Sequence, residues 1–336
     1  MKLPQVLLPW FEQNKRDLPW RKDQEPYHIW LSEIMLQQTR VEAVKGYYAR
    51  FLATLPTIAD LAAAEDALLL KLWEGLGYYS RVRNLKKAAQ MVMDVHGGIF
   101  PREYGQALAL PGVGAYTAGA ICSIAFDQKT AAVDGNVLRL VSRLTADATP
   151  IDQPAYKQRV KEALEAVYPE QAGDFTQALM ELGATICGPN RAPDCAVCPC
   201  RDFCLGYATG CASDLPVKTA KKSRRVEEKT ILILRCDEEY ALVKRPEEGL
   251  LAGMWQFPEL AGYLELPQVL QALPSPAKEV YRQVEKKHIF THIEWKLRGF
   301  YLEMLEKSDQ YQWFTAEQIQ ETAALPTAFR QFWEVF

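Results

Sequence analysis

Apolar residues recur every three or four positions through most of residues 27–205, and this spacing is typical of helices that pack in a core. Turns at 55–56, 97–98 and 110–114 separate the periodic stretches. The pattern predicts helices over 29–52, 58–76, 83–95, 115–126, 136–144, 154–167 and 175–186. Residues 107–126 carry no charge, but a proline and two glycines interrupt them. We therefore expect a tight turn before a buried helix rather than a membrane span.

The pattern changes after Pro216. The stretch PVKTAKKSRRVEEKT at 216–230 holds six basic and two acidic residues, which is typical of a linker. Such a linker is either a solvated tether or a contact for DNA phosphates. TILILR and YALVKR follow as apolar runs separated by CDEE and predict a β-hairpin. Ile293, Trp295 and Leu297 alternate with charged residues, as in a half-buried strand. These runs predict a separate α+β domain.

The predicted organisation is multi-domain, with an all-α module at 1–210, a basic linker at 211–229 and an α+β domain at 230–336. Within the module, a six-helix part covers about 25–134, and the N-terminal segment joins 135–210 in a second part.

Composition and charge narrow the functional classes. The 336 residues are 49% apolar and 24% charged, which is ordinary for a folded chain. A net charge of −3 does not predict a nucleic-acid partner, so any DNA contact must come from local patches and backbone groups. The first twenty residues, interrupted by Pro4 and Pro9, do not form a signal peptide, and we expect an intracellular protein.

Six of the eight cysteines lie within residues 187–211, and an intracellular protein is not expected to pair them as disulfides. Four follow C-x7-C-x2-C-x5-C, at Cys187, Cys195, Cys198 and Cys204. A structural zinc site usually has two short-spaced pairs, whereas this pattern has one CxxC between single cysteines. The spacing leaves an iron–sulfur cluster, zinc or free thiols open. Cys122 and Cys236 stand alone among apolar residues and are predicted core positions.

The turn LPGVG at 110–114 lies between two helical patterns. Gly112 and Gly114 allow a positive φ and the close approach of another backbone. The N–H groups at the start of the following helix favour an anion, so this turn is able to hold a DNA phosphate without a lysine. A GxG turn is also compatible with an ordinary connection between two helices.

Several strings together resemble one family. LPGVGAYTAGAI resembles the helix-hairpin-helix of the DNA glycosylases related to endonuclease III, and VDGNVLRLVSR follows where that family keeps its catalytic aspartate. SEIMLQQTRVE at 32–42, GLGYYSRVRNL at 75–85 and VDGNV at 133–137 resemble the MutY-type adenine glycosylases within it. The resemblance extends from Leu7 to Phe336. It implies an all-α helix-hairpin-helix glycosylase module with a [4Fe–4S] loop, followed by an α+β Nudix-like domain.

Two carboxylates stand in different sequence environments. Helical spacing places Glu33 on a face with apolar residues, and burial raises the pKa of such a carboxyl, so that it holds a proton at neutral pH. Asp134 precedes the helix NVLRLVSRL as a predicted N-cap, where N–H groups and the helix dipole favour the ionised form. Glycosidases use one protonated and one ionised acid in this way. The residues alone are also compatible with a surface glutamate and a simple cap.

The resemblance implies the roles of these residues. Glu33 would protonate N7 of adenine and later help to activate water. Asp134 would stabilise the sugar cation, with or without a transient covalent bond, and Tyr116 and Asn136 would support the sugar and Asp134. Relatives with lyase activity have a lysine at the position of Tyr116. The absence of that lysine implies a monofunctional glycosylase with at most weak strand cleavage.

An adenine inside a duplex must be flipped out before it is excised. The resemblance assigns strand invasion to Gln37, Gln38 and Tyr78, and Tyr78 is expected to stack beside a base. It also assigns the lining of the base pocket to Arg16, Trp20, Arg21 and Leu36.

The resemblance implies a cofactor for the cysteine pattern. It implies that Cys187, Cys195, Cys198 and Cys204 bind a [4Fe–4S] cluster that shapes a DNA-binding loop. The family's first gap has six residues and this chain has seven, so Cys200 and Cys211 leave the register open.

The C-terminal string TILILRCDEEYALVKRPEEGLLAGMWQFPE resembles the Nudix-like fold. The chain lacks the cluster REuxEExG, where u is apolar, with which Nudix hydrolases bind metal, and this implies a reading domain without pyrophosphatase activity. Phe290-Thr291-His292, with His288 nearby, matches the family's Phe-Ser-His element. Threonine keeps the hydroxyl that is expected to recognise 8-oxoguanine.

The resemblance therefore implies a monomeric, monofunctional adenine glycosylase of base excision repair. Its substrate would be double-stranded DNA with adenine opposite 8-oxoguanine or guanine, and its location the cytoplasm, at the nucleoid. Three alternatives remain: a bifunctional endonuclease III-like glycosylase and lyase, a non-catalytic iron–sulfur DNA-binding protein, and a Nudix hydrolase with a helical appendage. Tyr116 and the additional C-terminal domain argue against the first alternative. Glu33 and Asp134 argue against the second, and the missing glutamate cluster argues against the third.

Overall fold

The structure is a computed structural model that describes residues 2–189, 192–220 and 223–333. Asn190 and Arg191 of the cysteine loop and Lys221 and Lys222 of the linker lie outside the described residues, as do residues 1 and 334–336. None of the helices in these described ranges combines the length and the apolar composition that a membrane span requires. The helices up to residue 220 are α1 (Leu3–Asn14), α2 (Pro26–Leu36), α3 (Val41–Thr54), α4 (Ile58–Ala63), α5 (Asp66–Leu72), α6 (Ser80–His96), α7 (Tyr104–Leu108), α8 (Ala115–Phe126), α9 (Gly135–Thr145), α10 (Pro154–Glu165), α11 (Ala172–Thr185) and α12 (Leu205–Ala208).

A mixed sheet dominates the C-terminal third. Its strands are β1 (Arg225–Cys236), β2 (Glu239–Lys244), β3 (Trp255–Gln256), β4 (Glu259–Ala261), β5 (Ala277–Ile289), β6 (Ile293–Met304) and β7 (Gln312–Thr315). The order is β3-β2-β1-β6-β5, with β4 paired to β1 and β7 to β2. β1 runs parallel to β6, and the other pairs are antiparallel. The helices of this part are α13 (Leu266–Ala272), α14 (Ala316–Glu321) and α15 (Thr327–Arg330).

The chain divides into two compact units. The first unit combines Met1–Ala64 with Arg83–Ala220, and the second combines Glu65–Val82 with Lys221–Phe336. No sequence pattern indicated that 65–82 would group with the C-terminal residues. The domain boundaries drawn from the sequence at 210 and 230 stay a prediction.

The cores explain the apolar patterns. In the first unit, α1, α9, α10 and α11 bury one cluster that includes Phe11, Tyr156 and Phe175. In the second unit, β1 contributes Ile231 and Ile233 to one cluster and alternate residues to another. A strand buried on both faces reads as a continuous apolar run, which is the reason for the string TILILR.

Most predicted helices are confirmed, and α8 has the predicted bounds. The prediction of a continuous helix over 29–52 is wrong, because α2 ends at Leu36 and Gln38 adopts a left-handed φ of 57°. The predicted helix at 58–76 is also wrong, because it is interrupted between α4 and α5. The predicted hairpin is confirmed, and Asp237 and Glu238 form its turn with positive φ. β1 begins at Arg225 rather than at Thr230, so part of the predicted linker pairs with β6.

Candidate active site and cysteine loop

A cavity of about 530 Å³ in the first unit gathers residues from distant stretches of the chain. This volume lies in the range of small-molecule sites and is large enough for one nucleobase. Ten sequence-predicted site residues line it: Arg16, Trp20, Arg21, Glu33, Leu36, Gln37, Gln38, Tyr116, Asp134 and Asn136. The tertiary structure therefore brings both candidate acids and the predicted pocket residues into one place.

Glu33 lies on α2, in a run of buried residues that continues from Ile29 to Met35. Its side chain is 6% exposed, and its Oε2 accepts a hydrogen bond of 2.6 Å from the hydroxyl of Tyr116. Burial raises the pKa of Glu33 to about 7; the Tyr116 hydrogen bond and the charge of Arg21 oppose the shift, and Asp134 adds to it. The predicted rise in the pKa of Glu33 is confirmed, and the group is able to be protonated near neutral pH.

Asp134 is the N-cap of α9, as predicted. Its Oδ1 accepts the N–H groups of Asn136 and Val137 at 2.9 and 2.7 Å, and its Oδ2 accepts the side-chain amide of Asn136 at 2.7 Å. These hydrogen bonds and the charge of Arg139 favour the ionised form, but burial outweighs them and raises the pKa of Asp134 above its usual value. The sequence suggested only the favourable groups, because burial at this position follows from the tertiary packing.

Tyr116 lies in the first turn of α8 and faces Glu33. Burial raises the pKa of its phenol well above the usual value, so the hydroxyl stays protonated and acts as the donor. Its oxygen also lies 3.8 Å from the sulfur of Met180. Among the described residues that line the cavity, none is a lysine.

The sequence reasoning missed two residues of α11. Gln177 and Glu181, one helical turn apart, both line the cavity. Glu181 is 1% exposed and binds two arginines, with Arg16 Nε at 2.6 Å from Oε1 and an Arg21 nitrogen at 2.8 Å from Oε2. Arg21 Nε also donates to Oε1 of Gln177 at 3.0 Å. A glutamate on the buried face of an amphipathic helix was the signal that could have found them.

Two further contacts shape the rim and floor. Gln37 Nε2 donates to Thr117 Oγ1 at 3.3 Å, so the break after α2 is held to the start of α8. Asn136 packs on Gly183 of α11, where a Cβ would lie 2.9 Å from the Asn136 Cβ. Glycine at this position therefore lets the helix that begins after Asp134 approach α11 closely.

The hairpin turn lies outside this cavity. Gly112 has a φ of 76° and packs on Asn84, whose Cβ would lie 2.7 Å from an added Cβ. Gly114 is the N-cap of α8 and has no side chain with which to cap it. The binding of a phosphate by the first N–H groups of α8 stays a prediction.

Four of the predicted DNA-contact residues lie in the second unit. Tyr78 is 46% exposed, has a left-handed φ of 49°, and its hydroxyl lies 3.1 Å from Thr291 Oγ1. Phe290, Thr291 and His292 form the turn between β5 and β6. Phe290 packs edge-on against His288 and Trp295, with ring centroids 4.6 and 4.8 Å away. Two motifs that are far apart in the sequence thus share one surface.

The cysteine pattern closes around a separate small cavity in the first unit. Its lining includes Cys187, Cys195, Cys198 and Cys204, but neither Cys200 nor Cys211. Cys200 is fully buried in the neighbouring apolar core, and Cys211 lies 3.2 Å from Thr209 Oγ1. The four cysteines of the pattern with the seven-residue first gap therefore share one cavity, and which cysteines bind a cluster stays a prediction.

The four thiols are unpaired as disulfides. Over the described ranges, no three His, Cys, Asp or Glu side chains form a group that could hold a metal ion. A four-iron cluster has a different requirement, because its four thiolates surround the cluster rather than meet at one ion. Four cysteines around one cavity fit that requirement.

Helix α9 connects the two sites. Asp134 caps its start, and Arg139 and Arg143 further along both donate to the carbonyl of Cys187, at 2.9 and 3.1 Å. Arg139 also donates to Asn136 Oδ1 at 2.9 Å. Beside this helix, a second large cavity of about 660 Å³ is lined by Asp134, both arginines and Lys218 of the linker.

Comparisons with known proteins agree with this architecture. Residues 31–169 match the family model of the HhH-GPD superfamily base excision DNA repair proteins, and residues 230–335 match that of the NUDIX domain. The human adenine DNA glycosylase is 37% identical in a match that covers 98% of this chain and 73% of the human protein.

Solved structures match the helical part. A thermostable thymine-DNA glycosylase is 30% identical, with a TM-score of 0.55, over 61% of this chain and 94% of its own. Endonuclease III in a trapped covalent complex with DNA has a TM-score of 0.53 and 23% identity, over 62% of this chain and 95% of its own. The second likeness concerns the fold alone. The predicted helix-hairpin-helix glycosylase fold and Nudix-like C-terminal domain are thereby confirmed.

Proposed function

Because this chain belongs to the adenine DNA glycosylase family, and is thus a hydrolase of base excision DNA repair, we propose that it removes adenine paired with 8-oxoguanine or guanine. The observation that carries the catalytic part of this proposal is Glu33. It is a buried carboxyl with a pKa of about 7 in the same cavity as Asp134. One group able to donate a proton and one able to stabilise a cation are what hydrolysis of a glycosidic bond requires.

The reaction begins with proton transfer from Glu33 to N7 of the flipped adenine. The bond between the sugar C1′ and the base N9 then breaks, and its electron pair leaves with the protonated base. Asp134 stabilises the oxocarbenium ion, because its oxygens are fixed by the N–H groups at the start of α9. Water adds to C1′ and transfers a proton to Glu33, which leaves adenine and an abasic site. A transient bond between Asp134 and C1′ is compatible with the same balance.

The proposed enzyme is monofunctional. A lyase that works through a Schiff base needs an amine at the sugar, and Tyr116 occupies the relevant turn of α8. Tyr116 instead donates to Glu33, and Asn136 donates to Asp134. Both therefore position the acids in this proposal.

Both apolar and polar residues of the cavity would recognise the adenine. Trp20 and Leu36 offer apolar surface for the base, and Gln37 and Gln38 line the cavity next to the break after α2. Gln177 and Glu181, held by Arg16 and Arg21, add fixed polar groups on the opposite helix. Fixed hydrogen-bonding groups discriminate strongly between bases, because the wrong base leaves them without a partner.

Recognition of the opposite base belongs to the second unit. Tyr78 is exposed for stacking, and Thr291 offers a hydroxyl beside it. We assign the 8-oxoguanine contact to Thr291, with Phe290 and His292 as the flanks of the turn. Gly112 and Gly114 at the start of α8 hold a phosphate, and Lys218 supports a further DNA contact beside Asp134.

Cys187, Cys195, Cys198 and Cys204 would hold a [4Fe–4S] cluster. Bound there, the cluster would shape the loop through its four thiolate links. Arg143 lies close to this site, with a guanidinium nitrogen 3.3 Å from Cys187 Sγ. We further propose that the protein acts as a monomer on DNA, at the nucleoid in the cytoplasm.

Single-turnover cleavage of a duplex with adenine opposite 8-oxoguanine tests the proposal. A duplex with thymine glycol opposite adenine runs in parallel, each with and without alkali. We expect strand breaks on the mispair only after alkali, since a monofunctional enzyme leaves an intact abasic strand. Breaks in thymine glycol without alkali would identify a lyase, and tight mispair binding without cleavage would identify a non-catalytic protein.

A further inference from the structure

The segment 65–82, which carries Tyr78, belongs to the second unit, together with the C-terminal residues. It contains α5 and the turn that follows it. The same unit contains the turn with Thr291. The residue assigned to strand invasion and the residue assigned to the opposite base are therefore parts of one compact body.

Lys71 and Glu74 tie this segment to residues 319–325. They form an ion pair of 2.9 Å, and their side chains are only 23% and 12% exposed. Lys71 Nζ donates to the carbonyls of Ile319 and Ala323, at 3.4 Å each, and Glu74 Oε1 accepts the N–H of Leu325 at 2.9 Å. One mostly buried pair thus contacts three backbone groups of the C-terminal stretch.

The 319–325 stretch is itself joined to the recognition turn. Ile319, Ala323 and Leu325 are buried in the same apolar cluster as Trp295 and Phe329. Trp295 packs on Phe329 at 5.9 Å between centroids and on Phe290 of the turn at 4.8 Å. A movement of 319–325 would therefore disturb the packing under Thr291.

At the end of the same segment, Arg81 contacts the ring of Tyr78. The guanidinium of Arg81 lies 5.4 Å from the ring of Trp73 and 5.5 Å from the ring of Tyr78, within cation–π range. Arg81 also donates to the carbonyls of Leu76 and Gly77, at 3.0 Å each. The hydroxyl oxygen of Tyr78 lies 3.1 Å from Thr291 Oγ1. A continuous series of contacts therefore joins the ion pair, the 319–325 stretch, the turn with Thr291 and Tyr78.

We propose that Lys71 and Glu74 are positioning residues that hold Tyr78 in register with Thr291 and thereby set the preference for 8-oxoguanine over guanine. This inference rests on the proposed function. Neither residue touches DNA in this account; each acts through the backbone of 319–325. Because these contacts join the ion pair to Thr291, loss of the pair and loss of the Thr291 side chain should disturb the same alignment of Tyr78 with Thr291.

The test compares excision rate constants for adenine opposite 8-oxoguanine and opposite guanine at subsaturating DNA. Glu74→Gln keeps the size of the side chain but removes the charge, and Lys71→Met removes the cation. We expect Glu74→Gln, Lys71→Met and Thr291→Ala each to lower the ratio of the two rate constants about tenfold. Lys71→Arg keeps the cation, and we expect it to leave the ratio near that of the unmodified protein. Glu74→Gln combined with Thr291→Ala should lower the ratio about tenfold rather than a hundredfold, because residues of one network are not additive.

Glu247→Gln is the matched control. It breaks the Lys244–Glu247 pair of the same unit, which has the same sequence spacing but is exposed. We expect it to leave the ratio unchanged. Thermal unfolding of each variant measures any loss of stability. A loss of stability alone lowers both rate constants together and leaves their ratio unchanged, whereas a loss of alignment changes the ratio.

The outcomes separate the inference from the function on which it rests. If Thr291→Ala lowers the ratio but Glu74→Gln and Lys71→Met do not, the inference is wrong and the proposed recognition stands. Full additivity in the double variant would also overturn the inference. If the unmodified protein does not prefer 8-oxoguanine, or if Thr291→Ala leaves that preference unchanged, the assignment of 8-oxoguanine recognition to Thr291 is wrong, and the inference is wrong with it.

Discussion

The hydroxyl of Tyr116 donates a 2.6 Å hydrogen bond to Oε2 of Glu33, although 83 positions separate the two residues. This bond stabilises the carboxylate and so lowers the pKa of Glu33, while burial raises it by more. Tyr116 thereby sets how readily Glu33 gives up its proton. The contact links the residue that stands in place of a lysine to the proposed general acid.

Removal of this hydroxyl should move the pH profile. In Tyr116→Phe the pKa of Glu33 rises above about 7, because one stabilising interaction of the carboxylate is lost. A general acid must be protonated, so the decline of the single-turnover rate at alkaline pH should shift to higher pH. The pH dependence of adenine release from DNA measures it. A shift to lower pH would contradict the assignment of Glu33 as the acid.

Replacement of Glu33 should stabilise the protein while it abolishes excision. The pKa of Glu33 is about 7 in the folded state against 4.5 as the unperturbed value, so the folded state binds more protons between those values. Stability is therefore lost as pH rises through this window, by ~3 kcal/mol at pH 8. Glu33→Gln avoids this loss. Urea unfolding should show a gain at pH 8 that vanishes at pH 4.

Glu181→Gln is a control for which we expect a change in folding stability of the opposite sign. Burial raises the pKa of Glu181, but the hydrogen bond from Arg16 and the charge of Arg21 hold it below the usual value. A depressed pKa contributes stability above the unfolded value, which is lost as pH falls through the folded one. Glu181→Gln should therefore destabilise at pH 8, by about 2 kcal/mol. A gain in stability from both substitutions at pH 8 would contradict the pKa direction of Glu181, and a loss from both would contradict that of Glu33.

Asp134 combines a cap with a proposed catalytic charge, and two substitutions separate them. Asparagine is as good a cap as aspartate, so Asp134→Asn should keep stability and mispair binding. Excision should fall by at least about 10³-fold, because the anion beside the sugar is lost. Asp134→Ala should lose both the reaction and about 1 kcal/mol of stability. Binding measured by gel shift, alongside excision, identifies the outcome; retained excision in Asp134→Asn would exclude the assigned role.

The choice of cluster ligands is testable by composition. Cys204→Ser should lose most of the bound iron and sulfide, because it removes one of the four thiols around the small cavity. Cys211→Ser should keep both, since Cys211 does not line that cavity. Iron and acid-labile sulfide analysis of purified protein measures the result. Iron loss in Cys211→Ser, with retention in Cys204→Ser, would show that the register is wrong.

Sequence reasoning succeeded where the signal was local. The buried helix α8 agrees with the prediction because a charge-free run behind two glycines allows few alternatives. It failed at 37–40, where the apolar spacing continues although Gln38 leaves the helical conformation. It also failed to predict that β1 and β6 are parallel, because strand pairing across a long connection has no signature in either strand.

The sequence by itself determined the helices α6 and α8 to α11, the β-hairpin, the four-cysteine spacing and the residue types of the two proposed acids. These are local properties, since periodicity, capping and spacing depend on near neighbours in the chain. Only the tertiary structure decided that Gln177 and Glu181 join the pocket, that Cys200 stays out of the cysteine cavity, and that Tyr78 meets Thr291. Those contacts depend on how distant surfaces pack. The pKa of Glu33 depends on the burial that packing creates.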